Sequence, residues 1–273
     1  MKIGITGWNG FIGSHLCKTL LKQSDKSLVL FDKSKHNFLS PISLKSFVKD
    51  TDVIVHLAGA FRIQNYDLYR INVLGTLGLL DAMKKYAPKS KIIFASSIQV
   101  YDTNSFYGYS KKKGEELIQY YIDEYNLHGV ILRFSNVYGP LCKPYATSVI
   151  ATFLRQYQEH KPLYIHGNGK QKRDYIYISD VIGALNKAIQ NAPNRNKQIF
   201  DVNSGKMTSL NDVVSIIQKY CREKVIVEYS SDRMRSLKMP RKNFKQYWLP
   251  NWYPTTSLLT GIKKTLRMEY GSS

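Results

Sequence analysis

The chain has 273 residues, is 43% hydrophobic and carries a formal charge of +20. That is enough apolar material for one large α/β domain, or for a core domain with a small lobe, and no apolar run reaches the ~18 residues a membrane span needs. The basic excess reads either as solvated lysines or as the mark of an anionic partner such as a nucleotide, a phosphosugar or a membrane surface; no lysine block exceeds three residues (111–113) and no nucleic-acid module is visible, so nucleic acid is not an expected partner. Cys17, Cys142 and Cys221 lack metal-site spacing and read as reduced thiols of a cytoplasmic protein; no metal is expected. The N-terminus enters a strand at once, without the apolar stretch of a signal peptide.

Residues 2–6 form a short apolar strand, and an amphipathic helix bearing Leu16, Cys17, Leu20 and Leu21 on one face follows a glycine-rich turn. Gly7 permits the tight turn, Gly10 lets backbone N–H groups approach a diphosphate, and Gly13 allows close helix–strand packing. The helix N-terminus then faces the phosphate charge. The turn as a whole, Gly7, Asn9, Gly10, Phe11, Ile12 and Gly13, is the expected cradle of a dinucleotide. The second strand, 28–31, ends in Asp32, placed to accept hydrogen bonds from ribose hydroxyls and to repel a 2′-phosphate, which favours NAD. Lys33 and Lys35 would welcome that phosphate, so NADP stays open.

Residues 37–50 are polar, with a helix over 43–49 at most. Residues 52–59 are a near-continuous apolar run, the mark of a buried parallel strand, in which His56 reads as a packed core histidine. Phe61 and Arg62 open a loop that faces cofactor or substrate. Residues 66–86 read as one long helix containing Asn72, a polar residue that needs a partner there. Residues 91–97 form the fourth clear strand.

Ser97 ends that strand, and Tyr107 and Lys111 lie one turn apart on the face of the next helix. Together they form a proton-transfer device for an alcohol or ketone. A free phenol has a pKa of about 10. A cation ~4 Å away, at an effective dielectric of about 20, contributes roughly 4 kcal/mol, or about three pKa units, which brings the phenol near neutrality. Tyr109 and Lys113 repeat the spacing; Gly108, which permits a close backbone approach, and the helical pattern opening at Ser110 favour Tyr107.

Further on, the helix over 112–127 carries a stripe of Leu117, Ile118, Tyr121 and Tyr125. A strand over 130–135, a helix over 148–159, and strands over 163–166 and 199–203 follow. Thr208 or Ser209 caps a helix through 220. A strand over 225–229 and a helix over 257–266 end the pattern.

From residue 2 to about 266 the motifs resemble the extended short-chain dehydrogenase/reductases. TGWNGFIG (6–13) is similar to that family's TGxxGxxG, DVIVHLAG (52–59) to DVVIHLAA, NVLGT (72–76) to NVxGT, and YGYSKKKGE (107–115) to YGxSKxxxE. NVYGP (136–140) and GNGKQKRDY (167–175) have counterparts too. The resemblance implies an α/β, Rossmann-type doubly wound parallel sheet with a smaller C-terminal α/β substrate lobe. Residues 1–136 and 175–205 would bind the dinucleotide; 137–174 and 206–270 would bind substrate. Lys33, Leu57, Ala58, Gly59, Asn72, Ala95, Ser96, Tyr107 and Lys111 join the turn and Asp32 as expected NAD ligands. Asn72 is expected to prop the active-site lysine. Tyr107 is the implied acid/base, Lys111 its partner, Ser97 the hydroxyl-binding residue, and Asn136, Arg173 and Arg235 the substrate ligands.

The implied substrate is a nucleoside-diphosphate sugar, and the helices 66–86 and 112–127 resemble the family's dimer-forming bundle, so a homodimer is expected. Related dehydratases carry an acidic pair after the hydroxyl residue; here Ile98 and Gln99 stand there, which argues against dehydration. A 4-epimerase of UDP-sugars in surface polysaccharide synthesis is the first expectation. An NAD(P)H-dependent 4-keto-sugar reductase is the alternative, and a catalytically silent dinucleotide sensor a third.

Overall fold

A computed structural model describes residues 1–102, 104–145, 148–191, 199–221, 223–231 and 248–271. The chain divides into two compact units. The first is Met1–Phe134, Ile182–Val202 and Tyr247–Trp252; the second is Ser135–Val181, Asn203–Gln246 and Tyr253–Ser273. Residues 175–181, grouped by sequence with the dinucleotide-binding part, fall in the second unit.

The first unit is built on a six-stranded parallel sheet in the order β2-β1-β3-β4-β5-β9. The strands are β1 (Lys2–Thr6), β2 (Ser27–Leu30), β3 (Val53–His56), β4 (Lys91–Ser97), β5 (His128–Phe134) and β9 (Ile199–Val202). Their apolar runs are continuous because both faces are covered: Ile3, Ile5, Ile54, Val55, Ile92, Ile93, Val130 and Ile131 are fully buried. Strand β1 pairs with β2 on one side and β3 on the other. The connection reverses there, so the crevice beyond the carboxyl end of β1 is the topological switch point where open α/β sheets bind ligands.

Helices α1 (Phe11–Leu20), α2 (Lys45–Val48), α3 (Asn65–Tyr69), α4 (Gly75–Tyr86) and α5 (Phe106–Tyr125) belong to this unit. One core joins Phe47 and Val48 of α2, Leu79, Leu80 and Met83 of α4, Ile118 and Ile122 of α5, and Ile54, Ile92, Phe94 and Ile131 of the sheet. Residues 66–86 are not one uniform helix. Arg70–Leu74 form a π-helical turn between α3 and α4, and Asn72 lies in it. Two glycines let these helices pack closely, α4 on the loop at Phe38 and α5 on β4: a Cβ on Gly78 would fall 1.8 Å from the Phe38 carbonyl oxygen, and one on Gly114 would fall 2.7 Å from the Phe94 ring.

The second unit holds a three-stranded sheet ordered β10-β8-β6 and a two-stranded one of β11 and β7. These are β6 (Asn136–Tyr138), β7 (Leu163–His166), β8 (Lys172–Tyr177), β10 (Met207–Ser209) and β11 (Val227–Ser230). Helices α6 (Val149–Gln158), α8 (Leu210–Gln218) and α9 (Leu258–Tyr270) pack in this unit, and α7 (Ile178–Gln190) crosses its boundary. Ser209 caps α8 in a reciprocal box with Asp212. Among the described residues, no helix is long and apolar enough to cross a membrane.

Candidate active site

The glycine-rich turn sits at the switch point. Gly7 has a φ of +67°, a conformation L side chains rarely adopt, and a Cβ there would lie 2.8 Å from the Ala58 nitrogen. A Cβ on Gly13 would lie 2.2 Å from the Gly7 carbonyl oxygen, so α1 begins flush against the turn. The α1 N-terminus has no side-chain cap and no acid in its first turn, which leaves orphan N–H groups for an anion. A cleft of about 1100 Å³ opens beside it, lined among others by Gly7, Asn9, Gly10, Asp32, Lys33, Leu57, Ala58 and Gly59. Size, glycine cradle and bare helix terminus all fit a dinucleotide.

The sequence reading missed other lining residues of this cleft, Trp8, His36, Phe38, Arg70 and Ile71. Trp8 fills a variable position of the glycine motif, and the other four belong to no phosphate motif; only folding brings them to the cleft. The Trp8 indole donates to the Phe31 carbonyl at 2.9 Å, which fixes one wall. The Asp32 carboxylate accepts from the Ser34 N–H at 2.9 Å and hydroxyl at 2.8 Å. Those bonds, with smaller help from Lys35 and His36, hold its pKa below the usual carboxylate range.

The proposed reacting groups stand at the carboxyl end of β4 and the start of α5. Ser97 ends β4, and its hydroxyl accepts from the Gln99 N–H at 3.2 Å, starting a 3-10 turn over Ile98–Tyr101. Ser105 caps α5 through the Gly108 N–H at 3.0 Å. A Cβ on Gly108 would fall 2.1 Å from the Gln99 carbonyl oxygen, so only glycine lets this helix start so close to the turn after Ser97. Tyr107 is half-buried and meets the Phe61 ring edge-on at 4.9 Å. Tyr109, by contrast, is 46% exposed. The loop residue Phe61 thus packs on the phenol, and the Arg62 guanidinium lies 5.2 Å from the Phe61 ring centre.

Lys111 is buried, its ammonium 4.3 Å from the centre of the Phe94 ring. A methyl on Gly59 would lie 3.9 Å from Lys111 Nζ and 3.3 Å from Asn72 Oδ1, so lysine, asparagine and the exit of β3 converge. The Asn72 amide is fully used: Oδ1 accepts from Ala60 N–H at 2.7 Å, and Nδ2 donates to the Ala60 carbonyl at 3.1 Å and Ser110 Oγ at 3.0 Å.

One electrostatic expectation needs correction. The phenol of Tyr107 is not brought toward neutrality by the protein alone; burial pushes it up to about 12. Burial also pulls Lys111 down to about 8, against the opposing influence of Glu115. Burial is the leading cause in both cases, since it disfavours the charged form of each group.

A buried polar network underlies the site. Ser96, expected at the cofactor, points its hydroxyl at Glu115 Oε1, 2.6 Å away. Glu115 is 1% exposed and takes a two-pronged bond from Arg133 at 2.8 and 2.6 Å. Arg133 also donates to Tyr101 at 2.7 Å, and Tyr101 donates to Asp201 at 3.2 Å. An arginine inside an otherwise apolar strand was the available signal. Ala95, the remaining cofactor candidate, lies half-buried on β4.

In the second unit, the Asn136 amide donates to the Asp174 carbonyl at 2.8 Å, and Arg173 Nη1 donates to the Lys172 carbonyl at 2.8 Å. The buried Asp174 carboxylate accepts from the Ser204 and Lys206 N–H groups at 2.9 and 3.0 Å, pinning β8 to the loop before β10. Arg235 lies outside the described residues.

A parallel sheet with a glycine cradle at its switch point, and a Tyr–Lys pair on the helix after β4, defines a dinucleotide-dependent enzyme of the short-chain oxidoreductase type. The sequence matches the NAD dependent epimerase/dehydratase family over residues 3–203, and the chain belongs to that family. It is 30% identical to a provisionally assigned UDP-glucose 4-epimerase of Methanocaldococcus jannaschii, with 96% of each chain covered. It is also 30% identical over 190 residues to a UDP-2-acetamido-2,6-beta-L-arabino-hexul-4-ose reductase of Pseudomonas aeruginosa, covering 69% of this chain and 50% of that one. Among solved structures, it resembles the Bacillus cereus UDP-glucuronic acid 4-epimerase in complex with UDP-glucuronic acid and NAD. That match has a TM-score of 0.81 and 26% identity, and covers 97% of this chain and 98% of the other.

Proposed function

We propose that the protein is a UDP-sugar 4-epimerase that works as a homodimer in the supply of polysaccharide precursors. The observation that carries this reading is the half-buried Tyr107 beside the buried Lys111, following Ser97 at the end of β4. Ser97 would hold the C4 oxygen, Tyr107 would take and return its proton, and Lys111 would hold the cofactor ribose. Asn136, Arg173 and Arg235 would bind the nucleotide diphosphate and sugar. When bound, NAD supplies a hydride acceptor and a positive charge. A positive charge held near the phenol would offset the burial that keeps Tyr107 protonated. Ile98 and Gln99 have no carboxyl group to exchange a carbon-bound proton, so elimination of water is not supported.

The Pseudomonas relative favours a second reading, a reductase of a 4-keto sugar nucleotide. Cofactor stoichiometry separates the two: an epimerase turns over with catalytic NAD, whereas a reductase consumes NAD(P)H and lowers the absorbance at 340 nm in step with product. The direct test is Tyr107→Phe, assayed with UDP-glucose and UDP-glucuronic acid. Turnover should vanish while NAD binding stays within about twofold, because the phenol oxygen acts in the reaction rather than in holding the cofactor. A fully active variant would overturn the reading.

A further inference from the structure

His56 is 2% exposed at the end of β3, and the proposed chemistry leaves it without a task. Its two ring nitrogens are nonetheless both engaged. Nδ1 is 2.8 Å from Thr6 Oγ1, and Nε2 is 3.1 Å from Thr76 Oγ1. Both threonines are fully buried. Thr76 spends its hydroxyl proton on the Asn72 carbonyl at 2.7 Å, so its oxygen accepts from His56 Nε2–H. That leaves Nδ1 unprotonated, as an acceptor for the Thr6 hydroxyl proton. Thr6 Oγ1 in turn accepts from the Ala58 N–H at 3.1 Å. One unbroken chain therefore runs from Ala58 N–H through Thr6, His56 and Thr76 to the Asn72 carbonyl, with a single self-consistent direction. Burial, and then the charge of Lys111, pushes the ring's pKa down to about 3, so it stays neutral.

The two ends of the chain matter. Thr6 is the last residue of β1, directly before the glycine turn, and Ala58 lines the cleft. The other end is the π-helical turn, whose Asn72 amide clamps Ala60 and Ser110, the neighbour of Lys111. A π turn is a rare interruption of a helix, found mostly at functional sites. We propose that the Thr6–His56–Thr76 relay is a positioning device, which fixes the π turn so that Asn72 holds the 60s loop and the start of α5 in register with the glycine turn. The functional consequence rests on the reading of Tyr107 and Lys111 given above.

Thr76→Val replaces the hydroxyl by a methyl group at nearly constant volume; Thr76→Ser keeps the hydroxyl. In the NAD-saturated protein, Thr76→Val should speed amide exchange at Ala60 at least about fivefold, because Asn72 Oδ1 is no longer held on that N–H. With UDP-glucose or UDP-glucuronic acid, kcat should fall about tenfold while KM and NAD affinity stay within twofold. Thr76→Ser should restore both within about twofold. Unchanged exchange at Ala60, an unchanged kcat, or a serine variant as impaired as the valine one would each overturn the proposal. If the valine variant does not fold, ring-nitrogen NMR of the unmodified NAD complex decides. A neutral Nε2–H tautomer, constant from about pH 5 to 9, is expected; a charged ring or an Nδ1–H tautomer refutes the relay. Should the wild type turn over neither sugar nucleotide, the functional reading fails, and the exchange and NMR measurements still judge the relay.

Discussion

Arg133→Met should be among the most destabilising single changes in the first unit. Glu115 is 1% exposed and Arg133 11%, and their two short bonds are reinforced by Ser96 at 2.6 Å. Truncating the arginine strands a buried carboxylate whose other cation, Lys112, stays 3.7 Å away on a half-exposed stem. Breaking a buried pair in this way costs about 3–5 kcal/mol, and the slight exposure of Arg133 argues for the lower end. About 3 kcal/mol, against an unfolding entropy of about 2.1 cal/mol/K per residue, lowers Tm by about 5 °C for a chain of this length. The companion variant is Arg133→Met with Glu115→Leu. Replacing both partners by apolar groups removes the stranded charge, so the double variant should recover most of the loss. Differential scanning calorimetry of the four proteins gives the cycle. A single variant within 1 °C of wild type, or a double variant whose loss equals the sum of the two singles, would refute the claim that the pair acts as a buried unit.

Gly13→Ala forces a Cβ to within 2.2 Å of the Gly7 carbonyl, so the turn must shift; NAD affinity by fluorescence titration should fall at least about tenfold, since backbone donors must stay aimed at the diphosphate. Gly10→Ala meets the same oxygen at 3.2 Å and should bind NAD far better than Gly13→Ala. Asp32→Asn should shift preference toward NADP about tenfold, because the repulsive charge is gone; an unchanged NAD/NADP ratio of dissociation constants would mean that the Ser34 bonds keep the carboxylate from the ribose. Lys111 titrates at about 8 when folded and at about 10.4 unfolded. Between those values the unfolded state binds the extra proton, so stability gains with pH from about 8 to 10. Lys111→Met should flatten that rise in urea denaturation; an identical pH dependence would contradict the burial penalty.

The sheet and the glycine turn were legible in the sequence because burial on both faces writes itself as unbroken apolar runs, and because Gly7 and Gly13 occupy places no side chain can. The preference for Tyr107 over Tyr109 drew on Gly108, on the helical pattern opening at Ser110 and on Glu115, and the 2.1 Å approach to Gln99 is the physical content of the first clue. The π turn was not legible. Its extra backbone residue leaves the apolar periodicity of 66–86 nearly intact, and only the buried Asn72 hinted that something needed a polar clamp. The network from Ser96 to Asp201 stayed hidden because its members lie up to 105 positions apart, and pairing across a sheet has no local signature. The phenol's electrostatics were misjudged for a related reason: a spacing reveals which charge is near but not how much water both groups lose.

The sixth strand has a consequence for biogenesis. Strand β9 pairs with β5 through Ile131–Ile199 and Phe134–Val202, yet residues 135–181 of the other unit come between them in the chain. A nascent polypeptide therefore carries β5 as an open, greasy margin until translation has passed residue 202. Such margins recruit foreign strands, and parallel closures of this span are slow. Ribosome-stalled chains ending before β9 should be held by chaperones and those ending well beyond it released, making the late strand a checkpoint of synthesis as well as an edge of the sheet.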